Sequence, residues 1–151
     1  MNLEKQVIQA RFRNNRHRAV ANILYSYNNV VSRMQRMLNE YDLTLQQYNL
    51  LRILNRQYPE PVGNCTIREQ MFDARSDITR IVDRLIKENL AVRKLCDHDR
   101  RKVNITISEK GRLLLDRLEE LNDQLDGIVD VLTEEEVDVL NRLLEKVRNH
   151  K

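Results

Sequence analysis

Tryptophan is absent from this chain, and its 151 residues include two phenylalanines and three glycines. Aromatic residues amount to 5% of the composition while charged residues reach 32%. Such a balance disfavours a sheet-rich protein and favours a helical one. Proline is as scarce: Pro59 and Pro61 are the only two, and both fall in one stretch, where they end a helix. The two cysteines, Cys65 and Cys96, lack CxxC spacing, which excludes a disulfide framework and suggests reduced thiols in a cytoplasmic protein. Apolar stretches are short and broken by charge, so neither a signal peptide nor a membrane span is visible. There is no glycine-rich phosphate loop, nucleophile elbow, HExxH run or clustered acid–base set, so the expectation is a protein that is not an enzyme and carries no cofactor. His17, His98 and His150 are far apart and lack metal-ligand spacing.

What the chain does have is charge, unevenly placed. Residues 1–74 hold 10 Lys/Arg against 6 Asp/Glu, and residues 75–102 hold 9 against 5, whereas residues 103–151 hold 7 against 12. The net charge of +3 therefore conceals a basic first two-thirds and an acidic end. Phosphate binding follows such local clusters rather than the total.

Helical periodicity dominates both ends. Val20, Ile23, Leu24, Tyr27, Val30, Val31, Met34, Met37 and Leu38 recur at three-and-four spacing, so the first forty residues read as one long helix. A second helix opens at Leu43-Thr44-Leu45-Gln46-Gln47-Tyr48, where Thr44 and Gln47 form a capping box and Leu43 and Tyr48 are placed for a hydrophobic staple. Thr66-Ile67-Arg68-Glu69 repeats the capping pattern for a short third helix. Ser108 caps a fifth, with Leu114, Leu118, Leu121, Leu125, Ile128 and Leu132 on one stripe, and Thr133–Glu136 is the capping box of a last helix.

The centre is the most informative part. Residues 75–85 form an Arg-rich amphipathic helix in which Ile78, Ile81, Val82 and Leu85 make the core-facing stripe. Asn89 stands where a helix end needs a residue tolerant of positive φ. Two strands follow, from Leu90 to Leu95 and from Val103 to Ile107, with Val103, Ile105 and Ile107 on one face and Asn104 and Thr106 on the other. Between them lies Cys96-Asp97-His98-Asp99-Arg100-Arg101-Lys102, too polar for burial and rich in cations. A helix followed at once by a hairpin with a basic tip is the layout of a winged helix-turn-helix. There the helix enters the major groove and the tip reaches the flanking backbone or minor groove. The expected fold is mainly α with a small β-hairpin, in the order α-α-α-α-β-β-α-α. Residues 1–42 form an N-terminal dimerisation helix, 43–110 the winged domain and 111–151 C-terminal dimerisation helices.

The run Thr79-Arg80-Ile81-Val82-Asp83-Arg84-Leu85, the tip Asp99-Arg100-Arg101 and the run Ile105-Thr106-Ile107-Ser108-Glu109-Lys110-Gly111 resemble the MarR family of bacterial transcriptional regulators, and the likeness covers nearly the whole chain. It implies a homodimer, interlocked through its end helices, that binds double-stranded DNA at a near-palindromic operator and acts as a repressor whose affinity a small ligand modulates. Arg75, Ser76, Asp77, Thr79, Arg80 and Arg84 are the expected DNA contacts on the helix, and Arg100, Arg101 and Lys102 those on the wing. Arg101 would enter the minor groove with Asp99 holding it in place. Asp77 departs from the family, in which a small hydroxyl residue is usual there. It either accepts from cytosine N4 or pairs with Arg80 or Arg84. The ligand class implied is a small aromatic compound in a cleft near Tyr25, Tyr27, Tyr41 and Tyr48. Two alternatives remain open: a winged domain that recruits proteins, and a redox-responsive regulator using Cys96 or Cys65.

Overall fold

The computed structural model describes residues 12–73, 76–95 and 103–150. The chain divides into two compact units, Met1–Tyr48 and Asn49–Lys151.

The first unit is built on α1 (Asn15–Asn39). Where the sequence suggests a helix through all of the first forty residues, the described part starts only at Asn15. Asn14 is extended and its side chain caps the helix by accepting from the His17 backbone N–H at 2.9 Å. Residues 1–11 lie outside the described part. Val20, Ile23, Leu24, Tyr25 and Tyr27 are all exposed on α1. The chain turns at Asp42, a non-glycine residue at φ 54°, and Gln35 holds this turn together. Its amide nitrogen donates to Asn39 Oδ1 at 2.8 Å and to the Leu43 carbonyl at 2.9 Å, and its oxygen accepts from the Leu45 N–H at 3.0 Å. The capping box expected at Thr44 is present: Thr44 N–H donates to Gln47 Oε1 at 2.8 Å and Gln47 N–H donates to Thr44 Oγ1 at 3.2 Å. It opens α2 (Leu45–Gln57).

In the second unit the described elements are β1 (Val62–Gly63), α3 (Asn64–Gln70), α4 (Ile78–Lys87), β2 (Ala91–Leu95), β3 (Val103–Ile107), α5 (Glu109–Leu118), α6 (Glu120–Asp126) and α7 (Glu134–Arg148). Leu50, Leu51 and Leu54 from α2, Ile67 from α3, Leu85 from α4, Ile105 from β3 and Leu118 from α5 are its fully buried centre. Fully burying a side chain of this kind contributes about 1.5–3 kcal/mol.

The hairpin is accompanied by a third strand. β3 pairs antiparallel with β2, Ala91 opposite Ile107 and Leu95 opposite Val103, and with β1, Val62 opposite Ile105. Gly63 therefore belongs to a strand and stands at the N-cap of α3. That helix begins two residues before Thr66, which makes Thr66 an interior residue rather than its cap. β3 is the middle strand, and Thr106 is buried at 7% exposure along with Ile105 and Ile107, not turned to solvent. Its hydroxyl has no hydrogen-bond partner.

After Ser108, whose hydroxyl accepts from the Gly111 N–H at 2.9 Å as expected of a cap, the predicted single helix is interrupted. At Glu119 the backbone tightens to three-residue hydrogen bonds, Glu119 N–H to Asp116 O at 3.2 Å and Asn122 N–H to Glu119 O at 2.9 Å. Before the break, Leu118 of the expected stripe is buried, but Leu115 is buried where Leu114, now half-buried, was expected. The capping box of the last helix is confirmed, with Thr133 N–H to Glu136 Oε2 at 2.9 Å and Glu136 N–H to Thr133 Oγ1 at 3.3 Å.

Candidate nucleic-acid interface

The helix-turn-helix consists of α3 and α4, and α4 is strongly two-sided. Ile78, Val82 and Leu85 are buried, Ile81 is half-buried, and Thr79, Arg80, Asp83, Arg84 and Lys87 are exposed. Arg80, Arg84 and Lys87 are spaced four and three residues apart, which places them on one face. Lys87 was not among the residues singled out from sequence, although this spacing marks it.

The helix begins later than its charge pattern suggests. Its first residue is Ile78 rather than Arg75, because Asp77 acts as the N-cap and accepts from the Arg80 backbone N–H at 3.1 Å. A carboxylate at this position satisfies an orphan donor and complements the positive end of the helix dipole. Asp77→Ala should therefore cost about 1 kcal/mol in chemical denaturation, and Asp77→Asn only about 0.3–1 kcal/mol, since Asn caps equally well but lacks the charge that complements the dipole. Ser76 precedes the helix, half-buried, with its Oγ enclosed and unpartnered. Phe72, in the turn before it, is 78% exposed. Nothing in the periodicity marked that residue. Arg75 lies outside the described residues, as do Asp99, Arg100, Arg101, Lys102 and Cys96.

Among the described residues, Arg84 and Arg93 each form an ion pair on this surface. Arg84 Nε meets Glu88 one turn on, and Arg93 on β2 meets Asp83 on α4. Both members of the second pair are about half exposed, at 48% and 57%, so it contributes little stability and opens readily to a competing anion. The Asp83–Arg93 pair joins the helix to the first strand of the hairpin, a link between elements that local spacing does not encode. Cys65 is exposed on α3. Among the tyrosines, Tyr48 is a core residue at 4% exposure, whereas Tyr25 and Tyr27 are exposed and Tyr41 is half-buried. No described helix is long and apolar enough to cross a membrane.

A two-sided helix set after a helix and turn, and followed by an antiparallel hairpin, defines a winged helix-turn-helix DNA-binding protein. Residues 32–118 match the family model described as transcriptional regulator SarA/Rot. The chain is 28% identical over 123 residues to the HTH-type transcriptional regulator MhqR of Bacillus subtilis, covering 81% of this chain and 83% of that one. It is 30% identical over 115 residues to the HTH-type transcriptional repressor IacR of Pseudomonas putida, covering 76% and 68%. Its fold superposes with TM-score 0.78 on a mutant MarR of Escherichia coli complexed with operator DNA, at 19% identity and over 97% of this chain and 99% of that one. The chain belongs to the SarA/Rot transcriptional regulators and, with them, to the MarR family.

Proposed function

We propose that this regulator is a homodimeric repressor that reads a near-palindromic operator with α4, and whose affinity a small aromatic ligand lowers. The observation that carries the reading is the division of α4. The face opposite Ile78, Val82 and Leu85 presents Thr79, Arg80, Arg84 and Lys87, a hydroxyl and three cations on a helix, the element that the major groove is wide enough to admit. Ser76, Asp77 and Arg75 flank its start. Arg100, Arg101 and Lys102 are the proposed wing contacts, with Arg101, held by Asp99, in the minor groove, where it adds affinity more than sequence choice. Asp77, as a cap, supports the helix rather than a base.

Two-fold pairing sets two copies of α4 on one face of the duplex, with half-sites about one helical turn, roughly 10 bp, apart. A ligand that altered the spacing of the two helices would remove the avidity of the second contact without covering any DNA-binding residue. A bias of a few kcal/mol toward the non-binding spacing is enough to shift the population.

Gel shift against a duplex selected by the wild-type protein from a random library is the test. Arg80→Ala is expected to cost about 1–3 kcal/mol, concentrated at one base pair of each half-site. Arg101→Ala is expected to weaken binding to all sequences alike. If Arg75→Ala, Arg80→Ala and Arg101→Ala all bind as wild type, the assigned DNA face is wrong.

A further inference from the structure

Three successive carbonyls close the end of α4, and residues at the start of α5 donate to all three. Lys110 Nζ donates to Glu88 O at 2.8 Å, Ser108 Oγ to Asn89 O at 2.7 Å, and Ser108 N–H to Leu90 O at 3.0 Å. The same Ser108 hydroxyl accepts from Gly111 N–H, so one oxygen ends α4 and begins α5. Asn89, at φ 59°, makes the turn that brings its carbonyl round. Gly111 permits the approach, because a Cβ there would lie 2.3 Å from Leu90 O.

The electrostatics of this joint are complementary. The C-terminal end of a helix carries a partial negative charge and the N-terminal end a partial positive one, and here the end of α4 meets the start of α5. The Lys110 ammonium adds a full positive charge at the negative end. The exposed Asp83–Arg93 pair and the packing of α4 on β2 hold α4 along the hairpin. Lys110 and Ser108 add a separate tie between the end of α4 and the start of α5.

We propose that Lys110 is a positioning residue for sequence-specific DNA recognition, which sets the tilt of α4 from its far end without touching DNA. The 10 residues of α4 span roughly 15 Å. A tilt of roughly 10° at the joint displaces the other end, where Thr79 and Arg80 lie, by about 2.5 Å. That exceeds the range over which a hydrogen bond to a base edge survives. Contacts to phosphate, made by long flexible cations, tolerate the same displacement. The joint thus governs discrimination more than overall affinity.

The proposal rests on the DNA-binding reading, and one experiment separates the two. Lys110→Met keeps the apolar stem and removes the donor, while Lys110→Arg keeps a donor. Each is measured by fluorescence anisotropy on the duplex selected by wild-type protein and on an unrelated duplex, across a series of salt concentrations, with thermal melting as the control for folding. Lys110→Met is expected to lose about tenfold on the selected duplex, the size of one misplaced base contact, with little change on the unrelated one. Its salt dependence on the selected duplex should be unchanged, and Lys110→Arg should recover most of the loss. A salt slope shallower by about one unit would show that Lys110 itself neutralises a phosphate, and would overturn the proposal. Equal losses on both duplexes, or none, would also overturn it. Wild-type protein that selects no duplex would remove the DNA-binding reading, and this proposal with it.

Discussion

A chain carrying Leu140→Glu and Leu144→Glu together should run as a monomer and lose two to four orders of magnitude in affinity for a two-half-site operator. α7 has no buried residue along its 15 positions, yet Val139, Leu140, Leu143, Leu144 and Val147 are apolar and exposed. A contiguous apolar face of this length is costly to leave in water and marks an interaction surface. Charging its centre places two carboxylates where the partner's apolar side chains would pack, and neither can be buried unpaired. The DNA penalty follows from linkage alone, because a second half-site bound by a joined copy contributes about 10²–10⁴ in avidity. Light scattering should give a mass near twice 18.1 kDa for the wild type and near 18.1 kDa for the variant. A wild-type mass near 18.1 kDa at micromolar concentration would dispose of the dimer, and with it the palindrome.

The second large effect is expected at Gly111. Replacing it with alanine puts a methyl group 2.3 Å from the Leu90 carbonyl oxygen and 2.8 Å from Ile107 Cγ1. The first of these is backbone at the joint between α4 and α5, so relief requires the two helices to separate. That would stretch the Ser108 and Lys110 hydrogen bonds at once. A loss of about 3 kcal/mol or more in urea denaturation is expected, the upper part of the range for overpacking. Gly63→Ala is the matched control, since its added Cβ would meet Asn104 Oδ1 at 3.4 Å, an ordinary contact. Should Gly111→Ala melt as the wild type does, the close packing of this joint would be refuted.

What could be read from the sequence, and what could not, divides by the range of the interactions involved. Thr44 with Gln47, Thr133 with Glu136, Ser108 as a cap and Asn89 at positive φ all involve residues within three or four positions of each other, and each is found as expected. β3 likewise spans Val103 to Ile107 as expected. β1 escaped because two residues, Val62 and Gly63, carry no periodicity, and they form a strand only through the partner they meet some forty positions later. The burial of Thr106 escaped as well, since alternation assigns it to the face opposite Ile105 and Ile107. The start of α4 was misplaced because a run of helix-compatible polar residues gives no edge, whereas Asp77 turning its carboxylate to the Arg80 N–H does. In the candidate site, the exposed cations of α4 were legible from the apolar stripe opposite them. The Asp83–Arg93 pair and the Lys110 bond to Glu88 O were not, since each spans elements whose separation only the fold determines.

The bare α7 has a consequence for how long this protein lasts. An isolated helix of 15 residues is only marginally stable in water, even with a good capping box. If the cover it needs is a second copy, then dilution both dissociates the molecule and frays its tail, and a frayed tail is open to proteases. Newly made chains would be degraded fastest while they are rare, and survivors would be sheltered once they meet. The amount of this regulator would then rise more steeply than its rate of synthesis.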